Sequence, residues 1–144
     1  MTDFCTAAEA IEMERLFVDT SAWFAYANRK DPDRTAVRTA IRDFEGRLAT
    51  SNFIFDETIS LCRHRLGHDA ARRVGSVLLD AGTIDLIRIT PGDEQAAWTL
   101  FCRRGDQRYS FTDCTSFELM RRLRITTALA LDDDFHAEGF RVLP

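Results

Sequence analysis

Carboxylates follow two apolar runs of the sequence, at positions where a metal ion could use them. Asp19 comes directly after the run 16–18, and three successive aspartates, 132–134, come directly after the run 127–131. Carboxylates that share a pocket repel one another and bind protons more tightly, so a cluster stays ionised only when cations offset its charge. Oxygen ligands of this kind select Mg²⁺ or Mn²⁺ rather than zinc. Such a site suits phosphoryl chemistry, in which the metal activates a water and stabilises the leaving oxygen.

Two further acids lie in stretches that are predicted to be helical. Glu57 stands in the apolar run 53–59, where an acid either faces solvent or is buried and paired. Asp113 follows Ser110 with the S-x-x-D spacing of a capping box. Spacing alone therefore favours Asp113 as a capping acid slightly over a ligand, and Asp19 taken alone is also better explained as a helix cap. The coincidence of several acids is what favours a site.

The elements that must position these acids alternate along the chain. Short apolar runs predict strands over 16–18, 48–50, 84–89, 127–131 and 141–143. Helical spacing and capping signals predict helices over 22–27, 36–44, 52–66, 68–81, 91–105 and 110–123. This alternation predicts an α/β sandwich with a mainly parallel central sheet flanked by helices. Ligands of such folds bind beyond the carboxyl ends of the strands, which is where the acids after the two apolar runs fall.

Composition restricts the class of protein. A chain of 144 residues with 45% hydrophobic residues suits one domain with a core of its own. No apolar run approaches the roughly 18–20 residues of a membrane span. The four cysteines, Cys5, Cys62, Cys102 and Cys114, have neither zinc-site nor disulfide-framework spacing, and we expect them to be reduced and buried. There is no basic start followed by an apolar core, so the sequence predicts no secretory signal and a cytoplasmic protein.

Four segments together resemble one family. They are LFVDTSAWFA (16–25), the glutamate within FIFDETISL (53–61), FTDCTSFELMRR (111–122) and ALALDDDF (128–135). In order and spacing they resemble PIN domains, and most of all the VapC-type toxins of bacterial toxin–antitoxin pairs. The resemblance implies a PIN-like three-layer sandwich over 16–144. It also implies a Mg²⁺-dependent endoribonuclease, in which Mn²⁺ can substitute, that hydrolyses RNA phosphodiester bonds by a metal-activated water.

The resemblance also implies roles for individual residues. Asp19 and Asp113 match the principal metal ligands, and Glu57 and Asp132 match the other two catalytic acids. Asp134 is the fallback for Asp132, because three successive aspartates blur the register, and the aspartate between them is expected to point away. The hydroxyl residues expected to orient the carboxylates or a water are Thr20, Ser21 and Thr112. Arginines that could contact RNA, although solvated faces explain them equally well, are Arg63, Arg65, Arg103, Arg104 and Arg108.

Residues 1–15 fall outside the resemblance and are expected to be an N-terminal extension that need not be ordered. A second methionine, Met13, leaves the start of translation open between Met1 and Met13. The implied partners are an RNA substrate, a cognate antitoxin protein and a second copy of the chain in a homodimer, with no membrane. The sequence does not name the RNA, its cleavage position or the antitoxin.

Three alternative protein classes share features with this sequence. A phosphoacceptor receiver domain needs a lysine near the end of a late strand, but the only lysine, Lys30, lies in an early loop. A haloacid-dehalogenase-type phosphatase needs D-x-D after the first strand, and position 21 is a serine. The remaining alternative is a catalytically silent PIN-like binding module. The presence of an acid at all four site positions argues against it. The net charge of -4 equals the four proposed site acids, so an acidic chain does not argue against an RNA substrate.

Overall fold

Five short strands form one sheet in which every neighbouring pair runs parallel. The structure is a computed structural model that describes residues 14–144. Its strands are β1 (Arg15–Val18), β2 (Arg47–Ser51), β3 (Ile84–Ile87), β4 (Thr127–Leu129) and β5 (Arg141–Leu143). Their order across the sheet is β3-β2-β1-β4-β5. The predicted α/β class is confirmed, and the sheet is parallel throughout rather than mainly parallel.

Helices fill every connection between strands. They are α1 (Thr20–Ala27), α2 (Arg34–Asp43), α3 (Asn52–Leu66), α4 (His68–Leu78), α5 (Pro91–Arg103), α6 (Phe111–Leu123) and α7 (Asp134–Ala137). The chain moves outward from β1 to β3, then returns past β1 to β4 and β5. Because parallel crossovers are right-handed, this reversal places α1–α4 on one face of the sheet and α5–α7 on the other. In residues 14–144 no helix is both long and apolar enough to cross a membrane.

The middle of the sheet is the core of the molecule. Leu16, Phe17 and Val18 of β1 have no exposed surface, because β1 has a strand on each side and helices over both faces. Phe117 of α6 lies 4.9 Å, centroid to centroid, from Phe135 of α7 in an edge-to-face contact. This aromatic contact matters for the site, because it anchors the four-residue helix α7 that follows the acidic run.

The start of α3 shows a detail that the sequence pattern leaves open. The cap of α3 is Ser51, whose side chain accepts a hydrogen bond from the Ile54 amide at 3.0 Å, rather than the adjacent Asn52, which is also a favourable capping residue. Asn52 instead accepts from the Ile89 amide at 2.8 Å and ties α3 to the segment after β3. When two adjacent residues can both cap a helix, the sequence pattern does not show which one does so, because the helix start depends on where the preceding strand ends.

The cysteine prediction is only partly right. Cys62 and Cys114 are buried free thiols, as expected, but Cys102 is exposed, because it lies on the outer side of α5. Cys5, the two candidate start codons and most of the predicted extension 1–15 lie outside the described residues. The last residue of that extension, Arg15, is already the first residue of β1.

An ion pair between the buried Asp93 carboxylate and the half-exposed Arg122 side chain joins α5 to α6. Asp93 caps its own helix by accepting from the Thr90 amide at 3.0 Å, while Thr90 accepts from the Asp93 amide. The same carboxylate accepts two hydrogen bonds from Arg122, at 2.7 and 2.9 Å. Burial alone would raise the pKa of Asp93, but the hydrogen bonds from Arg122 and Thr90 outweigh it and lower that pKa.

We expect Asp93→Ala to lower the free energy of unfolding by ~1–3 kcal/mol, because it removes a helix cap and the charged hydrogen bonds that Arg122 donates to Asp93. The measurement is urea unfolding followed by circular dichroism. Glu94→Ala is the matched control, since Glu94 is the exposed neighbour in the same helical turn. Equal midpoints for the two variants would contradict the assigned role of the ion pair.

Candidate active site

The proposed site lies where the strand order of the sheet reverses. β1 and β4 are neighbours, and their connections leave in opposite directions, which is where open α/β sheets form a crevice for ligands. Two hydrogen bonds join the ends of these strands. The Asp19 amide donates to the Leu129 carbonyl at 3.0 Å, and the Leu131 amide donates to Ser21 Oγ at 3.1 Å. The carboxylates that follow the two strands are thereby brought to one edge.

Asp19 is a buried carboxylate with one oxygen left over. Its Oδ2 accepts from the Ser21 hydroxyl at 2.7 Å and from the Ser21 amide at 3.2 Å, so that Asp19 caps α1. Its Oδ1 is buried and has no hydrogen-bond partner within residues 14–144. Burial is the main cause that raises the pKa of Asp19 to about 7, with further increases from the charges of Asp113 and Asp132, while Ser21 opposes the shift.

Asp113 is both a cap and a neighbour of Asp19. Its Oδ2 accepts from the Ser110 amide at 2.8 Å, and Ser110 Oγ accepts from the Asp113 amide at 3.0 Å, so the predicted capping box is confirmed. Burial raises the pKa of Asp113 to about 6 against these hydrogen bonds, and the charges of Asp134 and Asp132 raise it further. The capping contact uses one carboxylate oxygen, so the cap and the ligand interpretations are compatible.

The three successive aspartates occupy different positions. Asp132 is exposed, and its negative charge raises the pKa of both Asp19 and Asp113. Asp134 is half-buried at the start of α7 and raises the pKa of Asp113. Asp133 is exposed, and its charge contributes to raising the pKa of Asp134. Of the three, Asp132 therefore lies in the field of both the buried Asp19 and the half-buried Asp113.

Glu57 is carried by a different helix, α3. It is half-buried on α3, one turn after Phe53. The Phe53 ring lies 6.4 Å from the ring of Phe111, the first residue of α6. Because residues four apart share a helix face, Glu57 follows Phe53 on the side of α3 that faces the start of α6. In the described part of the chain, Glu57 makes no side-chain hydrogen bond and no ion pair within 4.0 Å.

The donor set fits a hard divalent cation. No arginine or lysine within the described residues forms an ion pair with Asp19, Asp113, Asp132 or Asp134. The unpartnered Asp19 Oδ1 is the kind of buried oxygen that a bound cation would satisfy. No three His, Cys, Asp or Glu side chains in 14–144 already stand in metal-binding geometry. The carboxylates are thus neighbours that do not yet converge on one point.

The three predicted hydroxyl residues differ in what they contact. Ser21 orients Asp19 and also receives the Leu131 amide, so it links the two strand ends. Thr20 is buried, and its hydroxyl has no partner within residues 14–144. Thr112 is half-buried, and its carbonyl accepts from the Thr115 hydroxyl at 2.6 Å.

Glu138 was not singled out in the sequence, yet it supports the acidic run. Its side chain is 3% exposed and accepts from Arg104, Arg121 and Tyr109, each at 2.9 Å. These contacts hold the end of α7, and so Asp134, against α6. No sequence signal could have found them, since the partners lie 17 to 34 residues away.

The arginines predicted to contact RNA differ in their surroundings. Arg104 forms an ion pair with Glu138, whereas the others are exposed: Arg63, Arg65, Arg103 and Arg108.

A family model described as the PIN domain matches residues 16–140. The chain belongs to the PIN domain family. PIN-domain nucleases generally use divalent metal ions, in keeping with the carboxylates at the strand ends. The receiver-domain alternative is also contradicted by the sheet, because receivers have the order 2-1-3-4-5 and this sheet has the order 3-2-1-4-5.

Relatives within the PIN family have names that describe RNA cleavage. The chain is 35% identical over 125 residues to the 23S rRNA-specific endonuclease VapC20 of Mycobacterium tuberculosis, covering 87% of this chain and 95% of the relative. It is 30% identical over 117 residues to the ribonuclease VapC26 of the same organism, covering 81% of this chain and 86% of the relative.

Solved structures agree with the PIN fold. The crystal structure of M. tuberculosis VapC20, a Sarcin-Ricin loop cleaving toxin, superposes with a TM-score of 0.85 over 90% of this chain and 99% of that one, at 35% identity. A toxin–antitoxin complex from Klebsiella pneumoniae matches with a TM-score of 0.63 at 14% identity over 90% of this chain and 96% of that one, which shows a shared fold.

The buried charge of Asp19 is expected to cost stability when no metal is bound. Because its pKa is raised, the folded state holds the proton more tightly than the unfolded state, and stability falls as pH rises from 3.8 to about 7. In a chelator, Asp19→Asn should therefore stabilise the protein by ~2–4 kcal/mol above this interval, and by little below it. Thermal unfolding at several pH values is the measurement.

Asp133→Asn is the control for this substitution, because Asp133 is an exposed acid beside the same edge of the sheet. It should leave the melting temperature nearly unchanged at every pH. A melting temperature of Asp19→Asn that equals that of the parent protein above the titration interval would show that the carboxylate is not desolvated.

Proposed function

We propose that the chain is a Mg²⁺-dependent endoribonuclease and the toxin component of a toxin–antitoxin pair, with Asp19, Glu57, Asp113 and Asp132 as its catalytic acids. The observation that carries the proposal is the buried Asp19 carboxylate, which keeps a free oxygen at the strand-order reversal beside Asp113 and Asp132. The 35% identity to an rRNA-specific endonuclease supports RNA as the substrate.

Asp19 and Asp113 would hold the ion, with Glu57 and Asp132 as further oxygen donors. A Mg²⁺ ion bound there would activate a water for attack on the phosphodiester and stabilise the leaving oxygen. We name Mg²⁺ because its ligands are hard carboxylate oxygens, and Mn²⁺ should substitute since it accepts the same donors. The charge of the ion would lower the raised pKa values of the buried carboxylates, so that they ionise together.

The protein contributes orientation of these carboxylates. Ser21 holds one oxygen of Asp19 and leaves the other free. Ser110 does the same for Asp113 through its amide. The Glu138 contacts and the Phe135 ring hold α7 in place, which fixes the chain that carries Asp132. These contacts would limit how far the carboxylates must move to converge on a bound ion.

The substrate and partners follow from the relatives. Ribosomal RNA is the first substrate to test, since VapC20 carries that activity in its name. A small antitoxin protein is the proposed regulator, in line with solved toxin–antitoxin complexes of the same fold. A homodimer and a cytoplasmic location remain predictions from the family. A catalytically silent PIN module would lack metal affinity at these acids, which a Mn²⁺ titration of the purified protein would reveal.

The Asp113→Asn variant is expected to lose RNA cleavage by a factor of at least ~10². Asparagine keeps the capping oxygen for Ser110 but removes the negative charge that a cation needs. Cleavage is measured on total ribosomal RNA with Mg²⁺ by mapping new RNA ends, and circular dichroism checks that the fold is intact. Asp133→Asn is the control and should cleave normally. Near-normal cleavage by Asp113→Asn would refute the site assignment.

The fourth acid can be identified by a paired comparison. We expect Asp132→Asn to reduce cleavage more than Asp134→Asn does, because the charge of Asp132 acts on both Asp19 and Asp113. The measurement is the cleavage rate of each variant across a Mg²⁺ titration. A higher Mg²⁺ requirement in Asp134→Asn than in Asp132→Asn would assign the fourth acid to Asp134 instead.

A further inference from the structure

A second concave surface lies away from the carboxylates. It is a cavity of about 230 Å³ between the end of α1, the start of α2 and one face of α4. Its apolar floor is formed in part by Ala70, Val74 and Val77 of α4, whose spacing places them on one side of the helix. Its rim is arginine-rich: Arg29, Arg34, Arg38 and Arg73. We call this cavity the arginine pocket.

The arginine pocket carries unbalanced positive charge. No carboxylate lines it, and none of its four arginines forms an ion pair with a residue of the described chain 14–144. By contrast, the adjacent Arg72 forms an ion pair, because its Nη2 lies 3.8 Å from Asp69 Oδ1. Four cationic side chains around one concavity repel each other and favour an anionic ligand that would bring them together.

Two of the guanidinium groups are already held in place. The Arg38 guanidinium carbon lies 4.3 Å from the centroid of the Tyr26 ring, which orients its planar group by a cation–π contact. Arg34 Nε donates to the Tyr26 carbonyl at 3.2 Å, which leaves its terminal N–H groups for another acceptor. Planar forks of donors match phosphate oxygens in pairs, so this geometry suits a phosphate group.

The position of the arginine pocket relates it to the proposed site. Tyr26 and Asp19 lie at opposite ends of α1, about 10 Å apart along the helix at 1.5 Å per residue. A nucleic-acid strand advances about 3.4 Å per nucleotide when stacked. A strand cut at Asp19 could therefore place a phosphate at Tyr26 about three nucleotides away.

We propose that the arginine pocket binds a backbone phosphate of the RNA strand, a few nucleotides from the bond that is cut. The inference rests on the proposed ribonuclease function and adds a substrate-binding subsite to it. It also explains how an acidic chain holds RNA, because positive charge is concentrated at the opposite end of α1 from the acidic site. These arginines differ from the five that the sequence suggested for RNA contact.

The test measures binding without cleavage, in the Asp113→Asn background and with a chelator. The probe is a fluorescein-labelled single-stranded RNA of mixed sequence, followed by fluorescence anisotropy across a salt titration. Arg38→Gln and Arg73→Gln should each weaken binding several-fold and reduce the salt slope by about 0.7, the value for one phosphate contact on a single strand. Arg72→Gln is the matched control, since it removes the same charge one residue away, outside the pocket.

A second arm separates free phosphate from an RNA phosphate. Inorganic phosphate is titrated against each variant, and the melting temperature is read. One result would overturn the RNA assignment. In it, Arg38→Gln and Arg73→Gln lose the stabilisation by phosphate but bind RNA as tightly as Arg72→Gln does. RNA binding that is the same in all three variants would likewise overturn it. If Arg38→Gln and Arg73→Gln lose binding to a co-purified antitoxin but keep RNA binding, the pocket binds carboxylates of a protein partner, and the proposal is overturned.

Failure of the pocket and failure of the proposed function give different results. Arg73→Gln and Arg72→Gln are each introduced into the protein with Asp113 intact, and RNA cleavage by the two variants is compared. Cleavage by both at equal rates, with equal KM for the RNA, would refute the pocket and leave the ribonuclease function standing. Binding that depends on Arg38 and Arg73, with no cleavage by the parent protein, would support the pocket and refute the nuclease.

Discussion

The burial of Asp19 is the constraint on which the rest of the site depends. A carboxylate with 3% exposed surface, next to other carboxylates, is unfavourable when ionised. The sheet nevertheless places it there, because β1 ends at the reversal of strand order and the chain must turn into α1 at that point. The same burial keeps one oxygen away from water and from protein donors, which makes it available to a cation. A cost in stability is thus linked directly to a capacity to bind metal.

The remaining carboxylates are brought to Asp19 by contacts that are not themselves acidic. Hydrogen bonds between the ends of β1 and β4 fix the start of the acidic run. The edge-to-face contact of Phe117 and Phe135 and the buried Glu138 hold the following helix against α6. Helix capping by Ser110 fixes Asp113. Aromatic packing and the ion pairs of the buried Glu138 therefore oppose the mutual repulsion of the acids.

Charge is divided between two neighbouring regions of this small domain. Negative charge gathers at the strand ends, while four arginines without ion-pair partners in 14–144 surround a cavity at the far end of α1. A polyanionic substrate is repelled by the first region unless cations are present, and attracted by the second. The net charge of -4 averages over this division, so it is a poor guide to what the protein binds.

The sequence alone was sufficient for much of the architecture, because strand and helix patterns and capping boxes depend on residues a few positions apart. The α/β class, the five strands, the Ser110–Asp113 cap and the PIN family followed from such patterns. Tertiary structure decided what depends on distant residues. It buried Asp19 with a free oxygen, placed Asp132 in the field of Asp19 and Asp113, and paired Glu138 with arginines on other elements. It also gathered Arg29, Arg34, Arg38 and Arg73 around one cavity, since α2 and α4 each pack on α1 and so bring residues 38 and 73 to the same cavity.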